Sequence, residues 1–429
     1  MSNQRCVSCI IVGGGERGLV YASYSLDFPS KLNVIALCEP REHRKALFQE
    51  MFQLNSNQIY NDWRDINESN LADCVCICVQ DQLHKDCCIH FAKLGYHILL
   101  EKPMAVTEED CKDIATVCSQ SNIIFIVCHV LRYAPHNTLI KRLIDDGSIG
   151  QLINIEHTEP VGFYHFAHSF VRGNWRKEES SSFSMLTKCC HDIDLIKNWM
   201  KPYKCLKVIS FGSLSHFSST NQPQEAKDLN VSRCTDCPDS VKSLCPYDAY
   251  KIYVKPASAG VKSWPVSVIM DKTDFDIEDV ISTISKGPYG RCVYKCDNDV
   301  CDNQQVLFEF EGGRTATLNM IAFTEKLCER KTVIRGSKGE ITCTDPEQVS
   351  LFNFNTKETT TYDTSPNDLP TRMKNHGYAD FHLMNTFVRA VSFNDPSLIT
   401  TDALDALDSH LLVYRIEESR KQQKIINLE

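Results

Sequence analysis

The sequence has no long hydrophobic run and no excess of positive charge. None of its 429 residues lies in an apolar segment approaching the ~20 residues that a helix needs to cross a bilayer. The formal net charge of -9 and the pI near 5.9 argue against nucleic acid or an anionic membrane as the main partner. The first predicted strand begins at Val7, which leaves no room for a signal peptide before it. We therefore expect a cytoplasmic protein with no nucleic-acid partner and no membrane partner.

Cysteine, in contrast, is abundant, with 22 residues in the chain. Several of them lie inside predicted core strands, such as Cys74, Cys76 and Cys78, where they are expected to be small buried hydrophobes in a reducing compartment. A different group, Cys234, Cys237 and Cys245, lies in a polar stretch with Cys-x-x-Cys spacing. Three close thiols are an alternative zinc site, but there is no second Cys-x-x-Cys and no obvious fourth ligand, because His216 is too distant in the chain to assign. The favoured prediction is therefore that the chain binds no metal.

A glycine-rich turn near the N-terminus is the most informative motif. The apolar run Cys9–Val12 ends in Gly13-Gly14-Gly15-Glu16-Arg17-Gly18, and a second apolar run ends in Glu39. Gly13 permits the tight turn, Gly15 lets the backbone approach a pyrophosphate, and Gly18 lets the helix pack closely on the strand. An acid about 20 residues further on accepts hydrogen bonds from the ribose. The pattern predicts dinucleotide binding, the alternative being an ordinary strand-to-helix turn.

The N-terminal third alternates strand and helix patterns, which predicts βαβ units and a parallel sheet. The predicted strands are Val7–Val12, Asn33–Cys38, Asp73–Val79, His97–Leu100 and Ile123–Val127, and the predicted helices are Arg17–Leu26, Arg41–Phe52, His84–Leu94 and Glu108–Ser119.

After about residue 130 the pattern changes to longer strands, which predicts a largely antiparallel sheet. At 429 residues the chain exceeds what one core usually supports. We therefore predict an α/β Rossmann domain over 1–130 and an α+β domain with a large, mostly antiparallel sheet over 131–429. Residues near 218–240 and 345–373 are predicted to be surface loops, and 381–423 to be helical with a break at Asn394-Asp395-Pro396. The strands predicted here are Leu152–Glu159, Cys205–Ser213, Val306–Glu311, Thr315–Ala322 and Lys331–Arg335, with Gly312-Gly313 forming a hairpin turn.

Several motifs follow one another in an order that resembles one enzyme family. Glu101-Lys102-Pro103 stands at the end of a predicted strand, where ligands of open α/β sheets bind. With the glycine turn and the motifs below, the chain closely resembles the Gfo/Idh/MocA oxidoreductases over nearly its whole length. The other motifs are Gln80-Asp81-Gln82-Leu83-His84, Arg132-Tyr133, the run His168–Arg176, Cys190-His191-Asp192-Ile193-Asp194, Asn298-Asp299 and His376-Gly377.

The resemblance implies a dehydrogenase or reductase of sugars, sugar acids, polyols or cyclitols that uses NAD or NADP. It implies that Lys102 and His191 act at the reacting carbon, with His191 taking the proton and Lys102 stabilising charge on the oxygen. The expected nucleotide-binding residues are Gly13, Gly15, Glu16, Arg17, Gly18, Glu39, Arg44, Val79, Gln80, His84, Glu101 and Lys102. The expected substrate residues are Arg132, Tyr133, His168, Arg172, Lys188 and His376.

One position departs from the family pattern. Family members usually carry an aspartate four positions before the histidine, and here that position is Thr187. Thr187, Lys188, His191 and Asp194 are spaced to share a helix face, so we expect Asp194 to orient His191 in place of the missing acid. Several residues that can carry positive charge suggest a negatively charged substrate, namely Lys188, His168, Arg172 and Arg176. The alternative is that these arginines form surface ion pairs with Glu178, Glu179 or Asp192.

Cofactor choice and reaction type leave alternatives. Glu39 repels a 2′-phosphate and favours NAD, whereas Arg41 and Arg44 could clamp one and favour NADP. Besides net hydride transfer, the resemblance allows an enzyme that oxidises its substrate only transiently, to cleave a glycoside or to epimerise. It also allows a non-catalytic nucleotide sensor, although a sensor needs no proton-transfer pair. We expect a homo-oligomer that associates through the second sheet.

Overall fold

A computed structural model describes residues 5–366 and 369–428. The first sheet has six parallel strands in the order β3-β2-β1-β4-β5-β6. Apolar runs such as Val7–Val12 form its central strands because both faces of the sheet are covered by helices. Thr107 caps the helix Glu108–Gln120, because its hydroxyl accepts a hydrogen bond of 3.1 Å from the Asp110 N–H. The elements of this part are β1 Val7–Val12, α1 Glu16–Asp27, β2 Leu32–Cys38, α2 Glu42–Phe52, β3 Ile59–Tyr60, β4 Cys74–Ile77, α3 His84–Lys93, β5 His97–Leu100, α4 Glu108–Gln120 and β6 Phe125–Val127.

The second sheet has nine strands in the order β14-β13-β12-β11-β7-β10-β9-β8-β15. All neighbouring strands are antiparallel except β7 and β10, which are parallel. Its strands are β7 Leu152–Pro160, β8 Cys205–Ser213, β9 Asn303–Phe310, β10 Arg314–Ile321, β11 Lys331–Gly336, β12 Gly339–Asp345, β13 Gln348–Asn353, β14 Thr359–Asp363 and β15 Ile426–Asn427.

Ten α-helices of the described residues accompany this sheet. One of them, Ser184–Met200, is almost entirely buried between the sheet and the rest of the molecule. The helices are α5 Pro135–Asp145, α6 Phe163–Phe166, α7 Ser184–Met200, α8 Gln224–Asp228, α9 Asp239–Leu244, α10 Lys255–Ser258, α11 Val266–Ile269, α12 Ile277–Lys286, α13 Ala379–Phe393 and α14 Ala403–Gln422.

The last two helices return to the N-terminal domain. Ala403 and Ala406 of α14 belong to the core around β4 and β5, and the Val127 N–H donates to the carbonyl oxygen of Thr401. Tyr24 of α1 packs against Phe381 of α13, with ring centroids 6.0 Å apart. The two domains therefore share packing, and the predicted boundary at 130/131 falls between β6 and α5.

The predicted fold class is confirmed, with differences at the edges of the second sheet. Residues 345–373, predicted to be a loop, contain β13 and β14. β14 is mostly exposed and polar, so it lacks the apolar alternation that identifies a strand. Residues 218–240, also predicted to be a loop, contain α8 and the start of α9.

The cysteines of the described residues are all free thiols. Cys74 and Cys76 are fully buried in β4, as the apolar context predicts. No helix within residues 5–366 and 369–428 is both long enough and apolar enough to cross a bilayer.

Candidate active site

The turn after β1 has the geometry that close contact with a phosphate requires. Gly13 has a φ of 102°, and a Cβ there would lie 2.4 Å from the Cys78 carbonyl oxygen. A Cβ at Gly18 would lie 2.0 Å from the Gly13 carbonyl oxygen. At Gly15 a Cβ would meet only Arg41 Nη2, at 3.9 Å, among the described residues, and no side chain caps α1 there. The turn thus leaves open space and backbone N–H groups at a helix start, which suits a pyrophosphate.

Glu39 lies beside this turn but is covered by Arg41. Its carboxylate accepts hydrogen bonds from the Gly14 N–H at 2.8 Å and from Arg41 Nε at 2.7 Å. Burial opposes its ionisation, yet the hydrogen bonds from Arg41 hold the pKa of Glu39 below its ordinary value. Arg41 is half-exposed, with a side-chain exposure of 51%, so it has room to move when a ribose approaches Glu39. Arg44 instead is buried and pairs with Glu16 at the start of α1, at 3.3 Å.

Arg17 links the glycine turn to both domains. Its guanidinium donates to Glu101 at 2.6 Å and to Asp380 of α13 at 2.6 Å. Glu101 also accepts a hydrogen bond of 2.8 Å from the Lys102 N–H, which fixes the loop that carries Lys102. The Asp380 carboxylate also lies 3.0 Å from His376 Nδ1. Arg17 and Glu101 are both expected to contact nucleotide. In the structure they form an ion-pair network that holds the Lys102 loop and, through Asp380, reaches His376.

Lys102 and His191 come from different domains and lie together. The Lys102 ammonium donates a hydrogen bond of 2.9 Å to the Thr187 carbonyl oxygen, one turn before His191 on α7. Burial, followed by the positive charge of Lys102, lowers the pKa of His191 well below its ordinary value. The Nδ1 atom of His191 is buried and has no hydrogen-bond partner among the described residues. His191 is thus a neutral imidazole next to a cation.

The expectation that Asp194 orients His191 is wrong. Asp194 forms a bidentate pair with Arg132, with N–O distances of 2.7 and 2.8 Å, and accepts from the Ser409 hydroxyl at 2.9 Å. Burial opposes its ionisation, but the Arg132 guanidinium holds the pKa of Asp194 below its ordinary value. Because Arg132 also contacts Asp405 of α14, this pair joins α7 to α14.

Lys188 belongs to a buried charge network beside His191. Its ammonium lies 2.9 Å from Cys328 Sγ and 3.4 Å from Glu159. Arg330 connects Glu159, at 2.7 Å, with Asp192, at 2.9 Å. The charge of Lys188 is therefore compensated within the protein.

The four cations that suggested an anionic substrate do not converge on one cleft. His168 is enclosed by Tyr253 and Tyr289, and its burial lowers its pKa to about 3, so it is neutral. Arg172 is 1% exposed and donates to the backbone of Tyr247 and Arg291. Arg176 pairs with Asp297 at 2.8 Å. The alternative was that Arg172 and Arg176 form ion pairs with Glu178, Glu179 or Asp192. Neither arginine pairs with any of these three carboxylates.

Three other predicted site residues have structural partners. The ring nitrogens of His84 contact the carbonyl oxygens of Pro103 at 2.7 Å and Val79 at 3.3 Å, and the side chain is fully buried. The Tyr133 hydroxyl bonds Thr401 at 3.1 Å. Gln80 is exposed and accepts a hydrogen bond of 3.1 Å from Asn174, which bridges the two domains.

Two buried histidines near the site were not predicted. His129 lies beside His191 with ring centroids 5.8 Å apart, and neither of its ring nitrogens has a partner among the described residues. The ring of His410 of α14 lies next to that of His129, with centroids 5.3 Å apart. His410 Nε2 accepts a hydrogen bond of 2.9 Å from the Met104 N–H. No local signal in the sequence marks these contacts. Asp380 of α13 contacts His376, which precedes the helix and has a φ of 53°, so helical spacing does not account for this contact either.

No group of three or more His, Cys, Asp and Glu side chains in the described part of the chain is arranged to hold a single metal ion. Cys234, Cys237 and Cys245 are free and line a common cavity of about 20 Å³.

Comparison with protein families identifies both domains. Residues 7–129 match an oxidoreductase family described as an NAD-binding Rossmann fold, and residues 141–428 match the C-terminal alpha/beta domain of the same family. The N-terminal domain is thus an NAD-binding Rossmann domain.

Curated relatives match over part of their length. The 2,7-anhydro-N-acetylneuraminate hydratase of Escherichia coli (strain K12) is 28% identical over 206 residues, which are 48% of this chain and 53% of the relative. The levoglucosan dehydrogenase of Pseudarthrobacter phenanthrenivorans is 26% identical over 208 residues, 46% of this chain and 52% of the relative. The chain therefore spans about half the length of these relatives.

Solved structures match over the whole chain. Levoglucosan dehydrogenase in complex with NADH and levoglucosan superposes with a TM-score of 0.71 at 16% identity, covering 99% of both chains. An inositol dehydrogenase homolog complexed with NAD+ from Azotobacter vinelandii gives a TM-score of 0.68 at 14% identity, covering 100% of both chains. At these identities the likeness establishes the fold. The match of both domains to the family models shows that the chain belongs to the Gfo/Idh/MocA oxidoreductase family.

Proposed function

We propose that this protein is an oxidoreductase that transfers a hydride between a nicotinamide cofactor and a CH–OH group of a sugar, sugar acid, polyol or cyclitol. The observation that carries the proposal is the meeting of Lys102 and His191. One side chain comes from the end of a Rossmann strand and the other from α7 of the second domain. A neutral buried imidazole next to an ammonium group is suited to take a proton from a hydroxyl group whose oxygen the ammonium stabilises.

The glycine turn fits the cofactor. The open space at Gly15 leaves room for a pyrophosphate, and the uncapped start of α1 offers N–H donors to it. Glu39 would accept hydrogen bonds from the adenosine ribose after Arg41 moves aside. A carboxylate at this position repels a 2′-phosphate, so we propose NAD as the preferred cofactor.

When bound, the nicotinamide supplies the hydride acceptor for the carbon of the alcohol. His191 takes the hydroxyl proton as the C–H bond breaks, and the alcohol carbon becomes a carbonyl carbon. Lys102 donates a hydrogen bond to the same oxygen and stabilises the negative charge that develops there. In the reverse reaction His191 returns the proton. Lys188 lies three residues before His191 on α7, and the charge of His376 acts on His191, so we propose that both side chains contact the substrate.

A second candidate reaction has no net oxidation. The 2,7-anhydro-N-acetylneuraminate hydratase among the relatives carries the name of a reaction that adds or removes water. In this second candidate, oxidation at one carbon is transient and labilises a neighbouring bond, and the hydride returns at the end of each turnover.

The test uses the purified 429-residue chain with NAD+ or NADP+ and a panel of alcohols that includes levoglucosan, myo-inositol and 2,7-anhydro-N-acetylneuraminate. Net dehydrogenation predicts NADH formation with at least one compound, measured by its absorbance. The second candidate predicts product by mass spectrometry without accumulation of NADH. Lys102→Met should slow either reaction by a factor of about 10² or more, whereas Lys112→Met, at an exposed lysine of α4, should not. If no compound turns over and NAD+ still binds tightly, the sensor alternative is favoured.

We also propose that copies of the chain associate through the outer face of the second sheet. Phe211 of β8 and Leu307 of β9 are 63% and 47% exposed. Leu307 is paired with Ile209, and Phe211 lies two residues after Ile209 on the same strand, so Phe211 and Leu307 point to the same face of the sheet. Native mass spectrometry should show an oligomer that Phe211→Lys dissociates. A monomeric wild-type protein would contradict this assignment.

A further inference from the structure

His129 lies just after a Rossmann strand and beside His191. Its backbone is fixed, because its N–H donates to the Val127 carbonyl oxygen at 2.7 Å and its carbonyl oxygen accepts from the Arg132 N–H at 3.0 Å. The imidazole is fully buried, and its ring centroid is 5.8 Å from that of His191. β5 and β6 are neighbouring strands, so His129, which follows β6, lies at the same edge of the sheet as Lys102, which follows β5.

The two imidazoles have ring nitrogens without hydrogen-bond partners. Among the described residues, neither ring nitrogen of His129 has a partner, and Nδ1 of His191 has none. A buried polar atom without a partner is costly, because it has lost its hydrogen bonds to water and gained none in exchange. An apolar side chain of similar size at position 129 would avoid that cost. Stability alone therefore does not explain an imidazole at this position.

The other side chains packed around His129 are already occupied. Asp194 is held by Arg132 through both carboxylate oxygens, at 2.7 and 2.8 Å. Both ring nitrogens of His410 are used as well, at 2.8 Å on a backbone carbonyl oxygen and at 2.9 Å on a backbone N–H. The charged groups that act on the two imidazoles are Lys102, Arg132, Asp194, Asp405, Arg330 and His376. The imidazole of His191 is thus the neighbouring ring that still has a nitrogen to share.

Both rings are neutral and close enough to pair. Burial lowers the pKa of His129 and of His191, and the charge of Lys102 opposes the protonation of both. A neutral imidazole has one nitrogen that donates and one that accepts. The centroid separation of 5.8 Å is within about 1 Å of that of two imidazoles hydrogen-bonded nitrogen to nitrogen. Catalytic hydrogen bonds often shorten when the substrate complex forms.

We propose that His129 is a positioning residue that accepts a hydrogen bond from Nδ1–H of His191. This inference rests on the proposed function, in which His191 takes the proton of an alcohol. His191 is 6% exposed although its Nδ1 is enclosed, so Nε2 is the nitrogen that a hydroxyl group can reach. An acceptor at Nδ1 keeps the imidazole proton there and leaves the lone pair of Nε2 free to take the hydroxyl proton. His129 thereby has the orienting role that helical spacing predicted for Asp194.

The experiment compares His129→Leu, His129→Asn and His129→Gln in the purified 429-residue chain. Because His129→Leu removes two unpaired buried nitrogens, it should keep or raise the melting temperature. It should nevertheless lower kcat for alcohol oxidation by about tenfold or more, with little change in KM. Each amide variant supplies an oxygen that can accept from Nδ1–H, and at least one of them should keep most of the rate. His136→Leu is the matched control, since His136 is also buried with an unpartnered Nδ1 among the described residues, and it should keep the wild-type kcat.

A second measurement needs no turnover. The ¹⁵N NMR shifts of histidine-labelled protein with NAD+, assigned with His191→Asn, should show His191 protonated at Nδ1 in the wild type and as a mixture of tautomers in His129→Leu. If this change is seen but no alcohol reacts, the proposed reaction fails and the pairing stands. If alcohols react and His129→Leu keeps the wild-type kcat, the pairing is overturned and the reaction stands.

Two further outcomes would overturn the pairing. One is a wild-type His191 that is protonated at Nε2, and this result decides the question even if His129→Leu does not fold. The other is an equal loss of kcat in the leucine, asparagine and glutamine variants, which would show that the ring acts only by its packing.

Discussion

The ammonium group of Lys102 donates a hydrogen bond to the carbonyl oxygen of Thr187, at 2.9 Å. Lys102 follows a strand of the Rossmann domain, and Thr187 lies one turn before His191 in the second domain. A single contact therefore joins the two domains at the point where the two proposed catalytic side chains meet. The residue at position 187 departs from the family pattern only in its side chain. Lys102 bonds the backbone carbonyl oxygen of Thr187, which does not depend on that side chain.

Gly15 and Gly18 of the nucleotide turn should respond differently to substitution. Gly15→Val places a branched side chain in the space proposed for the pyrophosphate and should abolish NAD+ binding, measured by calorimetry, with little change in melting temperature. Gly18→Ala puts a Cβ 2.0 Å from the Gly13 carbonyl oxygen and should instead destabilise the fold. Normal NAD+ affinity of Gly15→Val would show that the nucleotide does not lie at this turn.

Cofactor preference should depend on Glu39 and Arg41 together. Glu39→Ser removes the carboxylate that now holds the Arg41 guanidinium, which frees it to bind a 2′-phosphate. We expect the ratio of kcat/KM for NADP+ to that for NAD+ to rise by at least tenfold, a change of about 1.4 kcal/mol. In the double variant Glu39→Ser/Arg41→Ala this gain should disappear. An unchanged ratio in Glu39→Ser would mean that the ribose binds elsewhere.

The sequence predicts the central elements of this fold better than its edges. β1 and β5 have the predicted bounds because continuous apolar runs are buried on both faces of a parallel sheet. β14 was missed because an exposed edge strand needs no apolar alternation.

In the site, the motifs identify Lys102 and His191, but they do not identify how their neighbours pair. Arg172 bonds backbone oxygens 75 and 119 residues away, and Arg17 bonds Asp380 across 363 residues. Such contacts depend on the packing of whole elements, which local spacing does not encode. For the same reason Asp194, on the predicted helix face, pairs with Arg132 and not with His191.

Asp194 should contribute to stability and not to the pH dependence of catalysis. Asp194→Asn leaves the buried Arg132 with a weaker set of partners and should lower the free energy of unfolding by on the order of 3 kcal/mol. The acidic limb of the rate profile should stay where it is in the wild type. Asp408→Asn, at an exposed ion pair with Lys197, is the control and should change stability by less than about 1 kcal/mol. A shifted limb in Asp194→Asn would restore the orienting role.

Buried neutral histidines should make the fold sensitive to acid. Burial lowers the pKa of His410 to about 3 and that of His136 to about 4, whereas both take up protons near pH 6.5 when unfolded. Between these values the unfolded state binds more protons, so stability should fall as the pH falls from about 6.5 towards 4. His410→Gln should reduce the slope of unfolding free energy against pH by about 1.4 kcal/mol per pH unit. Urea unfolding at several pH values measures this, and an equal slope in both proteins would contradict it.

The central claim is that His191 takes the proton from an alcohol that Lys102 polarises. The direct measurement is kcat/KM for alcohol oxidation against pH in the wild type, His191→Asn and Lys102→Met. Because burial and Lys102 lower the pKa of His191, the wild-type acidic limb should lie below pH 6.5. Both variants should lose a factor of about 10² or more, their losses should combine less than multiplicatively, and His191→Asn should lack the limb. A His191→Asn protein that keeps both the wild-type rate and the limb would contradict the account.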